Sequence, residues 1–288
     1  MSRNYEKWML RKEISEAVIP LIKDREFAFL SPIKDSKERL RFLKVWKPEN
    51  FSFFFGLMDG WFHEDLNCYY SCARYDGGIP MFPFPKQRMY QIERKERVSV
   101  WKKEHWKSMI SYDFLIDIEL EGHSKFNVSK LSALAVMDFL DECRCPYYVK
   151  FSGKGFHIIV PSFAFPRHLR KFYPYTDKCI FEIYNEIKRM LISEVSDFVD
   201  NKINHDALLL IKLPFSLVHY GKDTYISLPL VSREEIENCS LDDFRYKEDF
   251  KVDRTYYGKI FNGQGTGIEL LRRVKKWSHH LTWMTLNG

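Results

Sequence analysis

Asp117 and Glu119 stand two apart in the run Phe114 to Leu120, FLIDIEL. The run is dense in β-branched and aromatic residues and predicts a strand. Residues i and i+2 of a strand share a face, so the two carboxylates project side by side from an otherwise apolar segment. Such charges repel, and desolvating them is costly without a neutralising cation. Hard oxygen ligands at this spacing suit Mg²⁺ or Mn²⁺, and in two-metal sites the ions sit about 3.5–4 Å apart. The competing reading is a strand with one solvated face. Leu115 shares that face and the alternate face is also apolar, which weakens it.

Three further segments carry chemistry-bearing residues. Ser152-Gly153-Lys154-Gly155-Phe156-His157 joins two strand-like runs, YYVKFSG and HIIVPSF. Its glycines let backbone N–H groups approach phosphate oxygens, with Lys154 as cation, Ser152 as hydroxyl and His157 as ring donor. A plain hairpin turn is the bland alternative; a Walker loop is rejected, because the spacing differs and no helix follows. Asp200 precedes the strand-like run ALLLIKL (207 to 213), with Lys212 at its far end and Ser216 and His219 beyond Pro214. Asp200 is a candidate third metal ligand, and Asp206 competes for that role. Asp24 to Phe29 (DREFAF), with Arg39 and Arg41 further on, reads alone as a charged turn before a strand.

Net charge is +6 over 288 residues, and it is unevenly spread. Lys86 to Lys107 carries +5 by itself, interleaved with Tyr90, Trp101 and Trp106. A concentrated basic segment favours a polyanion and aromatics can stack on unpaired bases, although a solvated charged face has the same composition. Cys68, Cys72, Cys143, Cys145, Cys179 and Cys239 form no disulfide framework expected for a chain of this size. His63, Cys68 and Cys72, joined by Cys143 or Cys145, lack the spacing of a zinc site, and a structural zinc is not expected. No apolar run reaches the roughly 18 residues that span a bilayer, and the N-terminus lacks a secretion signal, so a soluble intracellular protein without membrane contact is expected.

The positioning elements follow from periodicity. Residues 4 to 22 read as a helix ended near Pro20, and FSFFFGL (51 to 57) as a buried strand. DGGIPMFPFPK (76 to 86) reads as a loop. A helix is expected from Val128 to Asp141 with Asn127 as N-cap, and another from Asp177 to Glu194. TYISLPL (224 to 230) reads as a strand, and 266 to 281 as an amphipathic segment carrying Arg272, Arg273, Lys275 and Lys276. Strands and helices mix without βαβ alternation, which predicts an α+β fold with helices packed on one side of a sheet.

In order along the chain, these segments resemble the small catalytic subunit of the archaeo-eukaryotic primases. That family's REhAF-like segment, arginine, YhS segment and acid pair are matched by Arg25-Glu26-Phe27-Ala28-Phe29, Arg41, Tyr70-Ser71, and Asp117 with Glu119. Its SGxxGhH segment, third Asp and closing basic-x-P-x-S-x-H run are matched by Ser152 to His157, Asp200, and Lys212 to His219. The match runs from about residue 24 to about 235. Three departures stand out. The acid pair is Asp-x-Glu in place of the commoner Asp-x-Asp. The phosphate turn is one residue shorter than the fuller form and holds one cation, Lys154. Only 32 residues separate Glu119 from Ser152, too few for the usual zinc module. The closing run also has one residue more than Ser-x-His.

The resemblance implies an RRM-like catalytic sheet with a second packed αβ unit and the active site between them. A catalytic core is expected over 1–250 and a C-terminal helical extension over 251–288, whose Arg272, Arg273, Lys275 and Lys276 read as a solvated helix face. Asp117, Glu119 and Asp200 would bind two Mg²⁺ or Mn²⁺ ions. Ser152, Lys154 and His157 would hold the triphosphate, with Arg41, Lys212 and His219 around it. The implied activity is primer synthesis on single-stranded DNA from nucleoside triphosphates, with a large primase subunit as partner of a replicative member. A repair polymerase of the kind attached to end-joining ligases shares the SGKGFHIIVP and ISLPL segments, whereas REFAF and YYS favour the primase branch. A non-catalytic accessory subunit is the third reading, and the retained acids argue against it.

Overall fold

The computed structural model describes residues 8, 11–34, 40–45, 68–76, 93–119, 125–166, 179–220, 223–247, 249–251 and 266–277. The expected strand over 51–57, nearly all of the loop over 76–86, and His63 lie outside them. Helix and strand mix in an α+β fold with several small sheets.

Helix α1 (Lys12–Ile22) buries Ile14, Ala17, Val18 and Ile22, a spacing that keeps one face inward. It does not stop at Pro20. Proline removes one donor late in the helix, but Lys23 N–H still reaches Ile19 O at 3.2 Å and Ile22 stays anchored in the core. Strands β1 (Phe27–Lys34), β2 (Leu40–Val45) and β3 (Cys68–Ser71) follow, and with β9 (Leu210–Lys212) they form an antiparallel sheet in the order β2-β1-β3-β9. Between these come β4 (Ala73–Tyr75), helix α2 (Arg94–Ser108) and β5 (Met109–Tyr112), which pairs with β4. Most of the basic segment's charge therefore lies on a helix.

The second sheet carries the acid pair. It is built from β6 (Phe114–Glu119), helix α3 (Phe126–Glu142), β7 (Tyr148–Phe151), β8 (Gly155–Val160) and helix α4 (Cys179–Glu194). β8 lies between β6 and β7, antiparallel to both. After α4 the chain returns to the free edge of β6, where Val199 bridges Ile118. This β-α-β-β-α-return connectivity is that of an RRM-like sheet, with the last strand reduced to one bridge. Phe126 of α3 meets Phe151 and Phe156, and Tyr184 of α4 meets Phe114, so both helices cover one face. The other face bears Asp117, Glu119, His157 and Lys150.

Three further boundaries differ from the sequence reading. α3 starts at Phe126 with Lys125 as N-cap, and no side chain caps it; burial of Phe126 draws the chain into the helix before Asn127. The run 207–213 is strand only at Leu210–Lys212, because Asp206 Oδ1 accepts the Leu208 N–H at 2.8 Å and folds 206–209 into a turn. TYISLPL changes sheets midway: β11 (Asp223–Ile226) pairs with β10 (Leu217–Tyr220), and β12 (Pro229–Leu230) joins β7.

Helix α5 (Arg233–Asn238) is capped by Ser232, and α6 (Ile268–Trp277) buries Leu270, Leu271 and Val274. Arg272, Lys275 and Lys276 of α6 are exposed, while Arg273 reaches Glu142 at 3.0 Å and lies over Phe139. Among the described residues no helix is long and apolar enough to cross a membrane.

Candidate active site

Register places the polar residues in a row. Asp117 pairs with His157 across β6 and β8, and His157 pairs with Lys150 across β8 and β7. Directly paired residues of adjacent strands share a face. On the far side of β6, the Ile118–Val199 bridge brings Asp200 beside Asp117, and the Asp200 N–H donates to Asp117 O at 2.8 Å. The row therefore reads Asp200, Asp117, His157, Lys150, with Glu119 one step along β6. Asp206 has no place in it: its carboxylate pairs with Lys102 at 2.7 Å.

The turn between β7 and β8 closes against this row. Ser152 N–H donates to Gly155 O at 2.9 Å, and Ser152 Oγ accepts the Gly155 N–H at 3.2 Å. The Ser152 hydroxyl is thus built into the turn. Gly153 has φ +102°, and a Cβ there would lie 2.5 Å from Val218. That approach sets β10, the strand bearing His219, against the turn. A Cβ on Gly155 would lie 1.9 Å from Ile118 O, so only glycine lets β8 approach β6 this closely. Lys154 reaches out of the turn to Glu119 at 3.0 Å.

The first sheet supplies further charge. Tyr69 and Lys212 are cross-strand partners on β3 and β9, so they share a face. Burial lowers the Lys212 ammonium to about 8, although Glu119 and Asp117 raise it. Burial, with help from Cys68 and Glu119, pushes the Tyr69 phenol up to about 12. The acid pair therefore lies between the two sheets. The sheets also meet at Tyr70 and Tyr148, whose hydroxyls are 3.3 Å apart.

Burial raises the Asp117 carboxyl, but His157, Lys150 and Lys212 outweigh it and hold the carboxyl below its ordinary value. Burial, with repulsion from Lys150, drives His157 down to about 4, so its ring is neutral at pH 7. Burial, with repulsion from Lys212, lowers Lys150 well below the usual lysine range, and its ammonium donates to Ser227 Oγ at 3.2 Å.

The three candidate metal ligands face one region but do not converge. Glu119 is held by Lys154, Asp200 Oδ1 accepts the Lys202 N–H at 2.7 Å, and Asp117 Oδ1 stands 3.5 Å from His157 Nε2. Among the described residues no three His, Cys, Asp or Glu side chains are gathered to hold a metal. Asp117 Oδ1 and His157 Nδ1 are buried without a hydrogen-bond partner among the described residues. An orphaned carboxylate oxygen among three hard-oxygen donors fits a divalent ion on chemistry.

Arg41 lies on β2 and His219 on β10, but the side chains of both are outside what the structure describes. Tyr70 and Ser71 build the fold: Ser71 Oγ accepts the Glu26 N–H at 3.0 Å and donates to Ala73 O. Arg25 is buried, binding Asp113 and the carbonyls of Ser71 and Cys72. Lys150 and Tyr69 escaped the sequence reading. Lys150 lies on a strand run legible as YYVKFSG, but only the register sets it opposite His157.

No protein-family model matches the chain, and no curated protein matches it. Among solved structures it is similar to the polymerase domain from Mycobacterium tuberculosis Ligase D in complex with DNA. The identity is 11%, over 94% of this chain and 88% of that one, with a TM-score of 0.47. A likeness this distant assigns neither residues nor activity.

Proposed function

We propose that the chain is a template-directed nucleotidyltransferase, a DNA primase or primase-polymerase that makes short primers on single-stranded DNA. The observation that carries this is the row across the second sheet. Carboxylates Asp200, Asp117 and Glu119 stand on one side, Lys150 and Lys154 stand next to them, and Lys212 faces them from the first sheet. Joining nucleotides requires both halves: oxygen donors for divalent ions and cations for a triphosphate.

Asp117, Glu119 and Asp200 would hold two Mg²⁺ or Mn²⁺ ions. When bound, such ions lower the pKa of an attacking 3′-hydroxyl and stabilise charge on departing pyrophosphate. The remaining work is positioning. Lys154, at the exposed mouth of the turn, now pairs with Glu119, and a phosphate oxygen would compete for it. Lys212 supplies positive charge, Lys150 a buried amine whose charged form burial disfavours, and neutral His157 can donate one hydrogen bond. Ser152 and the two glycines fix the turn beneath the triphosphate, with Arg41 and His219 around it. The catalytic core is assigned to residues 1–250, with α6 in the extension over 251–288.

Titration of the purified chain with Mn²⁺ tests the site. Wild type should bind, and Asp117→Asn and Glu119→Gln should lose that binding while remaining folded. A wild-type chain that binds no Mn²⁺ would contradict the reading and leave a non-catalytic template-binding subunit.

A further inference from the structure

Lys188 stands on α4, and only 7% of it is exposed. Lysine is among the residues least often buried, so the position calls for a reason. Its ammonium donates to Asn201 O at 3.1 Å and to Ile203 O. One turn earlier on the helix, Asn185 Oδ1 accepts the His205 N–H at 3.5 Å.

The segment 200–205 is therefore fastened at three points. Its first residue hangs on β6 through the Asp200 N–H, its middle on Lys188, and its end on Asn185. Within it, Asp200 Oδ1 accepts the Lys202 N–H at 2.7 Å, so the rotamer of Asp200 depends on the path of the next two residues. Lys188 binds the carbonyls that set that path.

Neutral donors could tie a loop without the cost of desolvating an ammonium. An ammonium offers three donors, so one side chain can take both the Asn201 and the Ile203 carbonyl. Burial lowers the Lys188 ammonium, and the Asp200 carboxylate acts in the opposite direction. The two groups are near enough to feel each other, although they form no direct ion pair among the described residues.

We propose that Lys188 is the positioning residue for Asp200. It holds the 200–205 segment so that the third carboxylate faces Asp117. This rests on the proposed function, because it assigns Asp200 to a divalent ion.

The test is Mn²⁺ affinity, by calorimetry, of wild type, Lys188→Met and Lys188→Arg, each also in an Asp200→Asn background. Residues that orient metal ligands typically change metal affinity 10- to 100-fold. Lys188→Met should weaken Mn²⁺ by about tenfold, and Lys188→Arg should keep most of the affinity. In the Asp200→Asn background Lys188→Met should add nothing, since residues acting through one another are not additive. Unchanged affinity in Lys188→Met, or an equal loss in both backgrounds, would overturn the proposal and leave the function untouched. No binding by wild type would overturn the function instead, and this inference with it. Should Lys188→Met not fold, Lys188→Leu, which also removes the donor, is held to the same two comparisons.

Discussion

Asp117 and His157 face each other at 3.5 Å, yet the environment keeps the histidine neutral. The consequence is a pH dependence of stability with a definite sign. His157 titrates near 4 when folded and near 6.5 when unfolded, so between these values the unfolded chain binds more protons. Stability then falls as pH drops through that window, by on the order of 3 kcal/mol for this group alone. His205, held near 3 by burial, adds with the same sign. Asp117, with a lowered pKa, loses its contribution only below the ordinary carboxylate range, so it does not enter between pH 4.5 and 7. Urea unfolding of the metal-free protein should show wild type losing stability from pH 7 to 4.5, and His157→Gln losing clearly less. Equal slopes would contradict the assignment. The acids were legible in the sequence because a spacing of two on a strand fixes a face. The choice between Asp200 and Asp206 was not, because it depends on which backbone reaches the edge of β6.

The elements around the site are held by close approach and by one buried ion pair. β8 runs so near β6 that a Cβ on Gly155 would overlap Ile118 O. Gly155→Ala must part the two strands that carry Asp117 and His157. It should cost about 3 kcal/mol or more, because backbone cannot move aside as a side-chain tip can. Arg25 is a second fastening, joining the approach to β1 to the carbonyls at the end of β3 and to Asp113 at the head of β6. Arg25→Met should cost about 3–5 kcal/mol, since it leaves Asp113 buried without its cation. Thermal unfolding checks both. A Tm of Arg25→Met within error of wild type would show the pair to be dispensable. The REFAF segment reads from sequence as a charged turn before a strand, and β1 does begin at Phe27. That its arginine would be buried was not legible, because the partner, Asp113, is 88 residues away. The split of TYISLPL was hidden for a similar reason: each half is a good strand, and only the two different neighbours show where one sheet ends.

At the scale of the whole molecule, two sheets face each other across the acids, helices cover the outer face of one, and a basic helix lies on the surface. Lys95 and Lys103 of α2 are exposed, whereas Lys102 and Lys107 are engaged with Asp206 and Glu104. If α2 tracks a template, Lys95→Ala with Lys103→Ala should weaken single-stranded DNA binding regardless of sequence. The salt slope should flatten by about 1.4, near 0.7 for each phosphate that the variant no longer neutralises. An unchanged slope would assign α2 to solvent. The α+β class and the clustering of helices on one face followed from the order of strand and helix patterns. The pairing of β9 with β3, which brings Lys212 to the acids, joins segments about 140 residues apart and leaves no local mark.

The most direct test is synthesis on single-stranded DNA without a primer, supplied with nucleoside triphosphates and Mg²⁺ or Mn²⁺, comparing wild type with Asp117→Asn. New strands from wild type and none from the variant are predicted. Extension only of a supplied primer would contradict the assignment as a self-sufficient primase and favour an end-joining polymerase. Strands made equally well by Asp117→Asn would contradict the site itself.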